Sequence, residues 1–466
     1  MKAPPRTLGV LILAAGQGTR MESALPKVLH PIGGRPMLFY VLRLANALKP
    51  AGIGVVVGYE SDKVKAEVLA IAKECGINRP ITFVFQKQAL GSGNAVLEAL
   101  PFLKKFTTAA VFCGDTPLLT YESLYALSKA HEDLKGQVTL LTARLANPKG
   151  YGRIVRSPMG DVLRIVEESV GTPKELAITE VNSGAYCFEM SALLMGLKEI
   201  GAKGPKKEHF LTDVLELVRS KGGKLHAYLS ANPEEILGVN SRVQLAAAER
   251  VINRRNLERL MLSGVTVVDP ASTHVDADVE VGQDTILHPS IILRGKTKIG
   301  RQCVIGPFTV MNDVQVGNEC EVRMSNLAGC RILEKCQIGP FANIRPESVL
   351  GPRVKVGNFS EIKASRVGFG SKVPHLSYIG DADIAEDVNV GAGTITCNYD
   401  GKAKHKTVIG ARAFIGSNVN LVAPVKIGKG ATVAAGSTID QDVPDCALGI
   451  ARERQVNKPN FGRKDG

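Results

Sequence analysis

From residue 409 to residue 439 an aliphatic side chain falls on every sixth position: Ile409, Ile415, Leu421, Ile427, Val433 and Ile439. Glycine follows directly behind several of them, as Gly410, Gly416 and Gly428. A spacing of six matches neither the roughly 3.6-residue period of a helix nor the two-residue alternation of an amphipathic strand. It fits a chain that supplies one short flat strand and a turn per hexapeptide, with successive coils stacked into a parallel β-helix. The pattern can be followed back, more raggedly, through Ile305, Ile299, Val281 and Val275, so it constrains nearly half the chain. It slips by one between Ile362 and Val367, then continues through Val373 and Ile379, and after Ile384 and Val390 it is broken. Residues 394–407 are too polar to continue a coil and are expected to project as a loop, the place where repeat proteins carry function.

The preceding sequence has a different texture. Between residues 7 and 240, short apolar runs (9–13, 54–57, 81–85, 109–112 and 138–143) alternate with helical patterns such as 36–48 and 63–73. That alternation predicts an α/β domain with a mainly parallel sheet, in which ligands bind at the carboxyl ends of strands. Ser241 then opens an Ala-, Leu- and Arg-rich stretch stopped by Gly264, which reads as one long helix. The expected division is therefore residues 1–240, a linker helix over 241–264, and a repeat domain with a basic tail over 265–466.

Composition narrows the function. The 466 residues include 48 Gly, 14 Phe, 9 Tyr and no Trp, which suits coils and turns and disfavours an aromatic platform for single-stranded nucleic acid. The net charge is +13, but no run of five basic residues occurs, so small phosphorylated substrates account for the sign without nucleic acid. Nine cysteines without a CxxC pair read as reduced thiols in the cytoplasm. Residues 8–15 are apolar but run straight into Gly16-Gln17-Gly18-Thr19-Arg20, so they read as a buried strand and not a signal peptide. No run reaches the roughly 18 apolar residues of a membrane span, so no stable membrane insertion is expected.

The chemistry begins at Leu13-Ala14-Ala15-Gly16-Gln17-Gly18-Thr19-Arg20-Met21, followed by Leu25-Pro26-Lys27. A strand ending in a Gly-rich loop lets backbone N–H groups approach a polyphosphate closely, and Arg20 and Lys27 add fixed positive charge. The string lacks the Gly-Lys-Ser/Thr step of a P-loop and the third glycine of a dinucleotide fingerprint. A second candidate, Asp115 in Cys113-Gly114-Asp115-Thr116-Pro117, would alone be an ordinary turn residue; beside the Gly-rich loop and Lys27 it becomes a candidate metal ligand. In the repeats, Arg345, Lys363, His375, Tyr378, Asn389, Asn398, Tyr399 and Lys404 cluster where a purely structural prism needs no polar groups. The three cations suit a sugar phosphate, and His375 is the natural base for an amine nucleophile. Taken singly, His375 is an ordinary histidine, the lysines are solvated charges, and Asn389 is a turn residue accommodating left-handed φ.

The Leu-Ala-Ala-Gly-x-Gly-Thr-Arg-Met string with its Leu-Pro-Lys is similar to the opening of sugar-nucleotide pyrophosphorylases. Over about residues 7–457 the chain resembles the family of bifunctional N-acetylglucosamine-1-phosphate uridyltransferase / glucosamine-1-phosphate acetyltransferases of bacterial cell-wall precursor synthesis. The resemblance implies a Rossmann-like α/β nucleotidyltransferase domain and a left-handed parallel β-helix. It implies that Leu13, Ala14, Gly16, Gly18, Lys27, Gln86, Gly91 and Ser92 bind UTP, that Gly152, Glu167 and Asn182 bind the sugar, and that Asp115 and Asn240 hold Mg²⁺. Cys113 departs from the family, which often carries an aromatic residue before Gly-Asp. In the repeats it implies that His375 accepts the proton, that Arg345, Lys363, Tyr378, Asn389, Asn398, Tyr399 and Lys404 bind glucosamine 1-phosphate, and that Ala392, Ser417, Ala435 and Arg452 contact acetyl-CoA. It further implies a homotrimer whose acetyltransferase sites are assembled from neighbouring chains. Two other readings are a single-activity nucleotidyltransferase with a structural or regulatory β-helix, and a basic scaffold for nucleic acid or membrane surfaces. The first leaves the His375 set without a purpose and the second leaves Lys27 and Asp115 unexplained.

Overall fold

The computed structural model describes residues 7–201, 208–459 and 461–462. The chain forms two compact units, Met1–Ile252 and Asn253–Gly466.

The first unit is built on a sheet of β1 (Leu8–Leu13), β2 (Gly52–Val57), β3 (Ile81–Phe85), β4 (Thr108–Cys113), β5 (Val138–Arg144), β6 (Arg153–Arg156), β7 (Val162–Val166), β8 (Glu180–Glu189) and β9 (Leu225–Leu229). Among the described residues the strand order is β9-β5-β8-β4-β1-β2-β3, with β6 joined to β8 and β7 to β6. β1, β2 and β4 are almost wholly apolar because helices cover both faces of the sheet at its centre; every residue of β2 is buried. The helices α1 (Met37–Ala47) and α2 (Ser61–Glu74) fall where the sequence pattern places them.

The sheet is less parallel than expected. β8 lies between β4 and β5 and runs antiparallel to both, and the β6–β7 pair is antiparallel as well. The chain reaches β8 through that hairpin and not through a crossover helix, so it enters the sheet in the opposite direction. The sequence concealed β8 because Asn182, Ser183 and Gly184 interrupt its apolar run, and there the register shifts in a bulge.

The second unit is a three-sided parallel β-helix, with faces of eleven, ten and nine short strands among the described residues. Ile409 stacks on Ile427, Ile415 on Val433 and Leu421 on Ile439, so three hexapeptides complete one coil. All six of these side chains point into the core. At the slip, Ile362 stacks on Ile379, a coil one residue shorter. Corners are turned by residues at positive φ, among them Asp381 (50°) and Asn418 (55°). Asn389 is not one of these; it opens the strand Asn389–Val390.

The expected loop over 394–407 is shorter than its polarity suggests. Ile395–Cys397 is a strand, with Ile395 paired to both Tyr378 and Asn420. Thr394 and Thr396 are buried, their hydroxyls donating to Gly391 O (2.7 Å) and Gly380 O (3.0 Å). Backbone acceptors within the coil (Gly391 O) and in neighbouring coils (Gly380 O, and Gly416 O at 3.3 Å from Thr394 Oγ1) thus satisfy polar side chains that the sequence marks as unfit for a core. The excursion begins at Asn398 and closes through a bridge between Tyr399 and Lys404.

The helix Arg242–Leu262 is capped as expected, Ser241 Oγ accepting from Gln244 N at 3.3 Å.

Candidate active sites

Leu13, at the carboxyl end of β1, pairs with Cys113 at the end of β4, so the Gly-rich loop and the Cys113–Asp115 turn emerge side by side. A cleft there is lined by Leu13, Ala14, Gly16, Lys27, Gln86, Gly91, Ser92 and Asp115 from the expected set. The Lys27 ammonium sits between the Asp115 carboxylate and Asn240 Oδ1, the latter at 2.8 Å. Gly18 permits this: its φ is 72°, and a Cβ there would lie 2.6 Å from Lys27 Cβ. Two oxygens converging on one cation, a carboxylate and an amide, form a donor set that suits a hard divalent ion completing its shell with phosphate and water. Asn240 is held in turn by Gln244 Oε1, which accepts its backbone N–H at 2.8 Å, while Asp115 O accepts from Val239 N at 2.9 Å.

Gln86 donates to Gly91 O (3.1 Å) and to Asn94 Oδ1 (3.0 Å), and Ser92 Oγ accepts from Leu211 N. These bonds fix the wall of the cleft. Gly152 packs on Glu167, and its carbonyl accepts from Asn182 N at 2.9 Å, so the three expected sugar residues meet. Burial raises the pKa of Glu167, opposed by a hydrogen bond from Thr212 and reinforced by the charges of Asp213 and Glu208. Arg20 departs from expectation. It is exposed and does not line the cleft, because the 3₁₀ turn Thr19–Met21 carries it outward. Cys113 faces Gly184 O, and burial, with Asp115 adding, pushes its thiol up to about 12. A residue at that position thus packs on the bulge of β8. Glu208, Val28 and Ala89 also line the cleft and were not anticipated; Val28 follows Lys27 and Ala89 lies between Gln86 and Gly91, whereas no motif surrounds Glu208 in the sequence.

In the prism, Arg345, Lys363, Tyr378, Asn398 and Lys404 come together. Arg345 Nη1 pairs with Glu361 Oε1 at 2.8 Å, and Lys363 Nζ lies 3.4 Å from Asp381 Oδ2. Asn398 Nδ2 donates to Asp381 and reaches Tyr378 Oη at 3.5 Å. Lys363 and Lys404 are in contact, which raises the pKa of Lys363 and lowers that of Lys404. Tyr399 is exposed, its hydroxyl donating to Gly401 O, and Asn389 stands on the adjoining face with no hydrogen bond to the cluster among the described residues.

His375 bonds through Nδ1 to Asn358 Oδ1 at 2.6 Å, in the column where Asn358 stacks directly on His375. Because the amide oxygen can only accept, Nδ1 carries the hydrogen and Nε2 is left as a base. Continuing the same register brings Ala392, Ser417 and Ala435 into line with His375 along one corner of the prism. Arg452 lies against Gly436, just beyond Ala435. Asn358, Glu361 and Asp381 were missed: each is a common polar residue on a repeat, and only the stacking of coils shows what it touches.

Residues 9–232 match the nucleotidyl transferase family model, and residues 406–441 match the bacterial transferase hexapeptide model of six repeats; the prism is accordingly a left-handed parallel β-helix. The chain is 46% identical to the bifunctional protein GlmU of Brevibacillus brevis over 455 residues, 97% of each chain. It is 47% identical to that of Halalkalibacterium halodurans over 97% of this chain and 98% of the other, and 44% identical to that of Syntrophomonas wolfei over 98% and 100%. With similarity of this depth running through both units, the chain belongs to the family of bifunctional GlmU proteins.

Proposed function

We propose that the prism acetylates glucosamine 1-phosphate with acetyl-CoA, and that the α/β unit then transfers UMP from UTP to N-acetylglucosamine 1-phosphate, releasing pyrophosphate. The observation that carries this reading is the alignment of His375, with a free Nε2, on the column Ala392–Ser417–Ala435, beside the Arg345–Lys363–Lys404 cluster. A prism that served only assembly or regulation would need neither.

In the acetyl step, Arg345, Lys363 and Lys404 hold the phosphate while Tyr378, Asn389, Asn398 and Tyr399 hold the sugar. His375 Nε2 removes a proton as the amine attacks the thioester carbonyl; a C–N bond forms, the C–S bond breaks, and the thiolate leaves to take a proton. The small residues Ala392, Ser417 and Ala435 leave room for coenzyme A along the corner, with Arg452 on its phosphates.

In the uridylyl step, backbone N–H groups of Gly16 and Gly18 cradle the phosphates of UTP, and Gln86, Gly91 and Ser92 take the base, next to Leu13 and Ala14. Gly152, Glu167 and Asn182 orient the sugar so that its phosphate oxygen lies in line with the α-phosphorus. Asp115 and Asn240 are the residues that would hold Mg²⁺, which when bound neutralises charge on the phosphates. Lys27 then exchanges its pairing with Asp115 for the departing pyrophosphate, joined by Arg20 from its exposed turn.

A ridge of exposed Phe308, Phe341, Phe359 and Leu376 along the prism, with Phe341 and Phe359 stacked at 5.3 Å, supports assembly into a homotrimer. Nine free cysteines support a cytoplasmic setting. Mass spectrometry of the purified protein with glucosamine 1-phosphate, acetyl-CoA, UTP and Mg²⁺ tests the reading. UDP-N-acetylglucosamine should form, and a chelator should stop the sequence at N-acetylglucosamine 1-phosphate. Acetylated sugar phosphate alone, with Mg²⁺ present, would contradict the proposed second step.

A further inference from the structure

The prism cluster holds a carboxylate in the midst of its cations. Asp381 Oδ2 accepts from Asn398 Nδ2 and lies 3.4 Å from Lys363 Nζ, and its charge also acts on Lys404. It is fixed from both sides: its N–H donates to Lys363 O at 3.0 Å and its carbonyl accepts from Thr407 N at 3.2 Å. Arg345 is already matched by Glu361. Three cations therefore face two carboxylates, and the cluster offers a net charge of about one to a phosphate monoester carrying nearly two.

From this arrangement we infer that Asp381 determines specificity, making the site discriminate against bare phosphate and favour a phosphate ester that brings hydrogen-bond donors of its own. The inference rests on the acetyl-transfer reading. An inorganic phosphate that approaches Lys363 and Lys404 also approaches the Asp381 carboxylate and gains nothing to offset that repulsion. An amino-sugar phosphate carries hydroxyl and amine groups. Because Asn398 and Lys363 both use Oδ2, Oδ1 is left to accept from such a donor. The contact between Lys363 and Lys404, which raises one and lowers the other, is eased by Asp381, whose charge favours the ammonium form of both.

Asp381→Asn is the informative variant, because asparagine keeps the size and tolerates the positive φ of this corner. Two quantities should move in opposite directions. Inhibition of acetyl transfer by inorganic phosphate, competitive with glucosamine 1-phosphate, should tighten roughly three- to tenfold. The kcat/KM for glucosamine 1-phosphate should fall about tenfold, mostly through KM. An unchanged denaturant-unfolding transition of the second unit reports an intact prism. Phosphate inhibition that stays the same or weakens would overturn the inference, as would an unchanged kcat/KM. Calorimetric titration with inorganic phosphate separates this test from the functional reading. If the wild-type chain transferred no acetyl group, that reading would fail, while tighter phosphate binding by the variant would still support the role of Asp381.

Discussion

Glu167 and Gly380 show how single positions trade stability for a site. Burial raises the Glu167 carboxyl above its ordinary range despite the Thr212 hydrogen bond. A raised folded pKa means that the ionised form is disfavoured by folding. The cost is absent below the unfolded pKa, where both states are protonated, and is complete above the folded pKa, where both are ionised. Glu167→Gln should therefore raise the thermal midpoint of the first unit at pH 7, give no gain near pH 4, and lower uridylyl transfer. A variant equally stabilised at both pH values would refute that linkage. Gly380 has the opposite geometry. A Cβ there would lie 2.5 Å from Tyr378 Oη and 2.7 Å from Asn398 Nδ2, two groups of the proposed sugar-phosphate site. Gly380→Ala should cost acetyl transfer about 10- to 100-fold while leaving uridylyl transfer intact, because displacements near 1 Å are expensive at a positioned site. Parallel assays of the two reactions check it.

At the scale of elements, the β-helix was legible because its period has no competitor: each sixth aliphatic residue from Ile409 to Ile439 lies in the core. β8 was not legible, since Asn182-Ser183-Gly184 places a bulge where an apolar run should be. The coil at Thr394–Cys397 was misread for a related reason. Its threonines are buried with their hydroxyls bonded to backbone, and the acceptors in neighbouring coils, Gly416 O for Thr394 and Gly380 O for Thr396, lie far away in sequence. Lys27, Asp115 and Asn240 could be read because a motif surrounds each. Asn358, Glu361 and Asp381 carry no motif, and only the stacking of coils reveals their partners. The same stacking makes the prism sensitive to loss of one inward side chain. Ile415→Ala should destabilise the second unit by about 2–5 kcal/mol, measured by denaturant unfolding, because neighbouring coils cannot collapse onto the cavity without breaking register. A cost below roughly 1 kcal/mol would indicate a coil that relaxes freely.

At the scale of the whole molecule, two compact units carry two separate polar constellations, and the account assigns one reaction to each. The residues proposed for acetyl transfer all lie in Asn253–Gly466, and those proposed for uridylyl transfer all lie in Met1–Ile252. The division of labour is best tested by measuring both reactions, each with its own substrates, on His375→Ala and Asp115→Ala preparations of the full chain. His375→Ala should lose acetyl transfer by a factor of about 10² or more and keep uridylyl transfer near wild type. Asp115→Ala should show the reverse, with Mg²⁺-dependent uridylyl transfer lost and acetyl transfer retained. If either substitution lowered both reactions together in a folded protein, or if Asp115→Ala left Mg²⁺-dependent turnover unchanged, the assignment of one reaction to each unit would be contradicted.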